Sequence, residues 1–596
     1  MRSSFLAVIA VCLFANVARA EELPPGYWPP ERTPEILELT RTVRLSPSLT
    51  DLTPGERRAV QELIEAGKIM QRIYEDARHP QALEAFDALE QLATKMGRPP
   101  EVQSLLDLYR LFKGPIATTS DNRREAFMPV ESETPGRNVY PSQLTRAQFD
   151  AYLVEHPDER SELLAQRTVV RENSVENVKR DLALLNRHPT ISMLHPGLRR
   201  RLQSLQGKPD NAKYYAIPYS LRWANELARV YTRLNNAARH VQDSDEEFAR
   251  FLRNRARDLL SDDYESGDAA WVTGNFKRLN ALIGAYETYD DALYGAKAFM
   301  SLSILKRDEP ASRAAREAVR DLQSIENALP SPQHRRALED ISVGVYDVIA
   351  DFGQARGRNS ATVLPNDPLT VKRYGRVMLL RENVLRNAEI FANSQAMWKA
   401  LMASPFDADL TEEGEFTRVL WHEIGHYLGV DRDKRGRPLD VALEASADTL
   451  EELKADLVSL FVAPMLRKSG NISDHDVVMW YASGLNRTLQ DAKPRRDQPY
   501  QTMQLMQFNW LHERGAFEIE PTTGAVMIHY QRFPEAIHSM LESVLKIQHE
   551  GDETDAAVFI ERWTAWRADL HDLVAKTLRD SRQFQHVLIR YGAMGE

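Results

Sequence analysis

Residues 417–430 read Thr-Arg-Val-Leu-Trp-His-Glu-Ile-Gly-His-Tyr-Leu-Gly-Val, and the pair His422 and His426 constrains the fold of this chain most. Positions i and i+4 lie on one face of an α-helix, about 6 Å apart along its axis, so the two imidazoles share an ion only if the segment is helical. Zinc takes neutral imidazole nitrogen. Glu423 projects beside the first histidine and reaches water at such an ion without ligating it, which is the mechanical content of the H-E-x-x-H pattern. Gly425 keeps the helix slim near the site, and Gly429 is placed to end it.

Two histidines at helical spacing also arise by coincidence, so the test is a third ligand. The stretch 440–462, "DVALEASADTLEELKADLVSLFV", reads as the next helix. A carboxylate there completes a His-His-Glu set with one position left open. An acid one turn later can accept a histidine's other N–H and fix its tautomer. Two pairs meet this spacing, Glu444 with Asp448 and Glu452 with Asp456. Spacing does not choose between them, and a solvated acidic face explains either pair.

The rest of the chain sets the context. The first twenty residues, "MRSSFLAVIAVCLFANVARA", carry Arg2, an apolar run and an Ala18-Arg19-Ala20 cleavage pattern. This predicts a signal peptide cut near Ala20, and hence a periplasmic or secreted protein. The apolar run is too short to span about 30 Å of hydrocarbon. Cleavage removes Arg2 and Arg19 from 76 basic residues and leaves the 86 acids, so the net charge goes from −10 to −12. It also removes Cys12, the only cysteine of the chain. The mature chain then has no disulfide, thiol nucleophile or thiolate ligand. The acidic balance gives no support for a nucleic-acid surface, and no later segment is long and apolar enough to span a membrane.

Proline marks 21–50 as an extended entry segment, and 114–142 reads as loop. Apolar residues at helical spacing dominate most of the remainder. β-Branched residues and prolines in 360–380 predict short strands, and "AFEIEPTTGAVMIHYQRF" predicts a hairpin within 516–532. The C-terminus reads as helical. The expected fold is mainly α with a minor β component (α+β), two lobes flanking a cleft. Residues 51–380 form a mostly helical N-terminal lobe, and 381–596 form a helical zinc-binding lobe.

The segment Glu-Glu-Leu-Lys-Ala-Asp at 451–456, following the metal helix, resembles the dipeptidyl peptidase III family of zinc peptidases. There an E-E-x-R/K-A-E/D motif follows the zinc helix, and its second glutamate ligates zinc. The resemblance assigns one zinc ion to His422, His426 and Glu452, with Glu451 and Asp456 as supporting acids. A second stretch, "IGAYETYDDALYGAKAF" at 283–299, is similar to the family's substrate-side motif. Its E-x-Y core implies that Glu287 binds the free N-terminal amine and that Tyr289 stabilises the oxyanion. The resemblance extends loosely over 215–550.

The chain departs from the family at three places. The typical family helix has one more residue between its histidines. A further acid after the E-x-Y core is replaced by Phe299-Met300-Ser301. A histidine expected before the helix "MQLMQFNWLHERGAF" is replaced by Tyr500, and His512 and His529 lie near in sequence without a place in the site. Some plant relatives carry a Nudix domain, and its G-x5-E-x7-R-E-x-x-E-E pattern is absent here. The resemblance implies a peptidase acting on oligopeptide N-termini, with Glu423 as general base and Glu423 and Tyr289 as the catalytic pair. A zinc peptidase of other exo- or endo-specificity and a non-catalytic metal- or peptide-binding protein are the competing readings.

Overall fold

The computed structural model of the chain describes residues 23–596 apart from 120–122, 207–211, 338–341, 358, 490–493, 495 and 497. The expected signal peptide lies outside the described residues. The fold is α+β and two-lobed.

Its centre is a five-stranded sheet built from β1 (Leu279–Ala285), β2 (Met300–Asp308), β3 (Ser342–Gly353), β4 (Ala361–Leu364) and β5 (Val377–Arg381). The spatial order is β1-β2-β3-β5-β4. All neighbours are antiparallel except β3 and β5, which run parallel. The strands expected in 360–380 are β4 and β5, with a short helix, Pro368–Tyr374, between them.

The parity of β5 explains the two lobes. Val377 and Leu379 pack into one core, and Met378 and Leu380 into another. Successive strand residues face opposite sides, so a strand buried on both faces joins two cores at once. The first core lies against α1 (Pro54–Arg78), whose start carries a Thr53/Glu56 capping box with Pro54 behind it. Gly67 is needed there, because a Cβ would lie 2.2 Å from the ring of Phe352 on β3. The second core is formed largely by helices: α2 (Glu412–Gly425), α3 (Ala447–Phe461), α4 (Asp474–Thr488), α5 (Pro499–Glu513) and α6 (Phe533–Glu550).

The expected hairpin is present as Phe517–Ile519 paired with Val526–Ile528. The expectation of a helical C-terminus is corrected. The last helix stops at Ser581, and His586–Tyr591 forms a strand parallel to Thr40–Leu45 of the entry segment. Val587, Ile589 and Tyr591 of that strand pack into the first core. The β-branched and aromatic residues of His-Val-Leu-Ile-Arg-Tyr suit a paired strand.

Candidate metal centre and active site

Helix α2 starts at Thr411, whose side chain accepts the Gly414 N–H, with Glu412, Glu413 and Glu415 in its first turn. Both features favour a helix start. The regular helix stops at Gly425, earlier than Gly429, and His426 caps it at φ −65° and ψ −21°. That conformation is still helical, so the i, i+4 alignment survives. The two imidazole rings stand edge to face with centroids 5.1 Å apart.

Every polar position of 451–456 serves this helix end. Nδ1 of His426 lies 3.0 Å from Glu451 Oε1, and Nδ1 of His422 lies 3.1 Å from Asp456 Oδ1. The Lys454 ammonium donates to the carbonyls of Gly425 and Leu428, each at 2.9 Å. It therefore ties down the last carbonyl of α2 and one in the turn that follows it, where the regular helical bonds stop. Lys454 also pairs with Glu451 at 2.8 Å. Gly425 lets the two helices touch, since a Cβ there would lie 2.6 Å from the Ala455 carbonyl oxygen. Asp456 is held further by Arg418 at 2.9 Å and by Gln507 at 2.7 Å.

The acids fix the tautomers of both histidines. Burial pushes Glu451 up, but Lys454 and His426 outweigh it and hold the carboxyl at about 2. Burial likewise opposes ionisation of Asp456, and His422 and Arg418 outweigh it and lower its pKa. An ionised carboxylate only accepts, so each Nδ1 is the donor and each Nε2 carries its lone pair outward. Both Nε2 atoms face Glu452 Oε2, at 3.2 Å from His422 and 3.7 Å from His426. The three ligand atoms of His422, His426 and Glu452 lie within 4.8 Å of one another.

Glu452 Oε2 is buried and has no hydrogen-bond partner. Three electron-rich atoms turned toward each other require a cation among them. A proton serves: burial pulls His422 down, yet Asp456 and Glu452 raise it to about 9. A divalent ion that accepts two imidazole nitrogens and one carboxylate oxygen fits the same space and satisfies all three at once. The alternative pair does not enter the site: Glu444 and Asp448 belong neither to the triad nor to the lining of the cleft around it.

The triad opens into a cleft of about 1120 Å³. Glu423, Glu287, Tyr289 and Tyr500 all line it. Glu287 and Tyr289 follow β1, so they come from the sheet, while the triad comes from the helical lobe. Burial raises the Glu287 carboxyl, opposed by Tyr289 and Asn366. The neutral Asn366 Nδ2 donates to Glu287 Oε1 at 3.4 Å. Tyr289 is 78% exposed and lines the cleft beside Glu287. Enclosure by the cleft walls, together with the carboxylates of Glu287, Glu452 and Glu423, raises its phenol well above the ordinary value. The Tyr500 phenol is raised by burial and then by Glu452, Glu423 and Tyr289. His512 packs on Phe517 and His529 pairs with Glu518 at 3.2 Å, both at the hairpin. Sequence reasoning missed Arg418 and Lys454. Arg418 stands one turn before His422, and Lys454 stands inside the acid motif, which are the signals that would have found them.

The comparisons with known proteins agree with this arrangement at the level of the fold. No protein-family model matches the chain. The structure of dipeptidyl peptidase III from Caldithrix abyssi superposes with a TM-score of 0.77 and 22% identity, covering 95% of this chain and 99% of that one. Dipeptidyl peptidase III from Corallococcus sp. strain EGB gives 0.76 and 21%, covering 96% and 98%. The chain therefore has the dipeptidyl peptidase III fold. A curated relative, Nudix hydrolase 3 of Arabidopsis thaliana, is 24% identical over 569 residues, covering 87% of this chain and 69% of that protein. No helix among the described residues is long and apolar enough to cross a membrane.

Proposed function

We propose that this chain is an exported zinc-dependent peptidase that hydrolyses oligopeptides near their free N-terminus. The observation that carries the proposal is one cleft. It brings the His422–His426–Glu452 triad, the neighbouring Glu423 and the Glu287–Tyr289 pair together from two lobes. Bound at the triad, zinc supplies Lewis-acid chemistry that acidifies water and polarises a carbonyl.

The remaining steps belong to the chain. Glu423 takes a proton from the attacking water and passes it to the leaving amine. Tyr289, kept protonated at neutral pH, donates to the oxyanion as charge develops there. Glu287, a carboxylate whose side-chain partners among the described residues, Tyr289 and Asn366, are neutral, takes the substrate's ammonium and sets the register of cleavage. Residues Ala361, Thr362 and Val363 of β4 line the cleft, and β4 is an edge strand. Its open side can pair with an extended peptide. One observation favours a looser specificity: the second anchoring acid is absent, so Glu287 alone holds the amine.

Incubation of the mature protein with an unblocked peptide mixture, with and without chelator, tests the reading. Mass spectrometry should show N-terminal dipeptides that vanish with chelator. Internal fragments would move the assignment to an endopeptidase, and chelator-insensitive cleavage would exclude the metal. Export is tested separately, by sequencing the N-terminus of protein recovered from outside the cytoplasm. A start at Glu21 supports it, and retained Met1 refutes it.

A further inference from the structure

Glu287 and Tyr289 stand on a detour that the sheet does not need. Ala285 of β1 already pairs with Met300 of β2, where a two-residue turn would close the hairpin. The chain instead runs through residues 286–299 with no helix or strand. Tyr286, Glu287 and Tyr289, at its start, line the cleft. An irregular connection of this length inside a compact domain is usually functional, and its backbone polar groups need partners of their own.

One buried carboxylate gathers this backbone. Asp291 Oδ1 accepts the N–H groups of Leu293 and Tyr294, each at 3.0 Å, and Oδ2 accepts those of Ala296 and Lys297, each at 2.8 Å. The Tyr140 hydroxyl also donates to Oδ2, at 2.6 Å. Bonds to an ionised acceptor are the strong ones. The backbone N–H of Asp291 donates to the Thr288 carbonyl at 2.9 Å, so the same residue holds the position between Glu287 and Tyr289. Its neighbours fasten the loop to the first lobe. Asp290 Oδ2 accepts from the Tyr74 hydroxyl of α1 at 2.8 Å and from Gln354 Nε2 at 3.1 Å. The buried Lys297 ammonium donates to the carbonyls of Leu163 and Ala165 at 2.6 and 2.9 Å and to Thr168 Oγ1 at 2.7 Å, which uses all three of its donors. Asp291 lies between these fastenings and sets how the chain winds from one to the other.

We infer that Asp291 is the positioning residue of the amine anchor: its carboxylate fixes the place of Glu287 and Tyr289 on the cleft wall, and with it the number of residues between the bound ammonium and the scissile bond. The inference rests on the peptidase reading and deepens it, since it puts control of fragment length on a buried residue that touches no substrate.

The test compares the mature zinc-loaded chain with Asp291→Asn on unblocked peptides. In Asn one of the two oxygens becomes a donor facing N–H groups that formerly bonded to it, so the winding is lost. By mass spectrometry the wild type should release one dominant length of N-terminal fragment. Asp291→Asn should keep one equivalent of zinc, lose roughly tenfold to a hundredfold in kcat/KM, the scale of a displaced positioning group, and release mixed lengths. Its preference for free over N-acetylated peptide should shrink as well. Tyr140→Phe removes one donor from Oδ2 and should move rate and fragment length the same way by a smaller factor, which decides the matter if Asp291→Asn does not fold. Slower cleavage with the wild-type fragment length and the wild-type preference would overturn the inference, because Asp291 would then serve stability alone. Unchanged rates, or a wild type that itself releases mixed lengths, would overturn it too.

If the wild type cleaves no peptide, the peptidase reading fails by itself. Binding of C-terminally labelled free and N-acetylated peptides to Glu423→Gln, with and without Asp291→Asn, then decides the positioning role, and the same arm serves if Asp291→Asn has no turnover. The affinity ratio of free to acetylated peptide should fall toward one with Asp291→Asn. A ratio unchanged by Asp291→Asn, or already one without it, would refute the inference.

Discussion

At the residue scale, Glu423 and Glu452 sit in one cleft but in different positions, and the proposal gives them different work. Glu452 points its buried Oε2 at two imidazole nitrogens, whereas Glu423 lines the cleft outside that triad. Glu423→Ala should therefore keep one equivalent of zinc while kcat falls by roughly 10²–10⁴, the range of general acid–base catalysis. Glu452→Ala should lose the metal. Metal analysis beside turnover separates the two, and a fully active Glu423→Ala removes it as the base. Glu451 gives a pH signature. Its folded pKa of about 2 lies below the unfolded carboxyl value of roughly 4.3. The unfolded chain thus binds more protons between these values, so this contribution is complete above the unfolded value and is lost as pH falls toward 2. Thermal unfolding should weaken less steeply for Glu451→Gln than for the wild type between about pH 5 and 3.

At the element scale, the contact between α2 and α3 sets the geometry of the candidate metal site. Gly425→Ala gains about 1 kcal/mol of helix propensity. The new Cβ would lie 2.6 Å from the Ala455 carbonyl oxygen and 2.8 Å from its Cα. These are backbone atoms of a packed helix, and overpacking of that kind costs about 1–3 kcal/mol. The clash wins, so the variant should melt lower and bind zinc more weakly. An unchanged melting temperature with unchanged zinc affinity would show that the helices part freely.

This scale also shows what the sequence made legible. His422, His426, Glu452 and Asp456 follow helical spacing, so two local patterns carry most of the centre. The choice of Glu452 over Glu444 needed the resemblance, because both pairs have the same spacing. β1, β2 and β3 gave little signal. The first six residues of β2 are all buried, so it lacks the alternation that marks a half-buried strand. The C-terminal strand was hidden for another reason, since its partner, Thr40–Leu45, lies more than 500 residues away along the chain.

At the scale of the whole molecule, the groups proposed for catalysis line one cleft from both the sheet and the helical lobe, and the last strand returns to the first lobe. The last strand returns to the entry segment, Arg590 pairs with Asp107 at 2.9 Å, and Glu596 holds the cleft-lining Arg356. Ile589 and Tyr591 are almost fully buried. Burial of such side chains contributes about 1.5–3 kcal/mol each. Removing residues 586–596 should cost several kcal/mol by this measure and lower the melting temperature. An unaltered melting curve would show that the return strand does not secure the N-terminal lobe.

The central claim is that Glu287 holds a substrate amine while the His422–His426–Glu452 triad and Glu423 cleave nearby. It is tested most directly by presenting the zinc-loaded protein with one peptide in two forms, free and N-acetylated, in the same reaction. The free form should be cut close to its N-terminus and the acetylated form should remain intact. Equal cleavage of both would contradict the account.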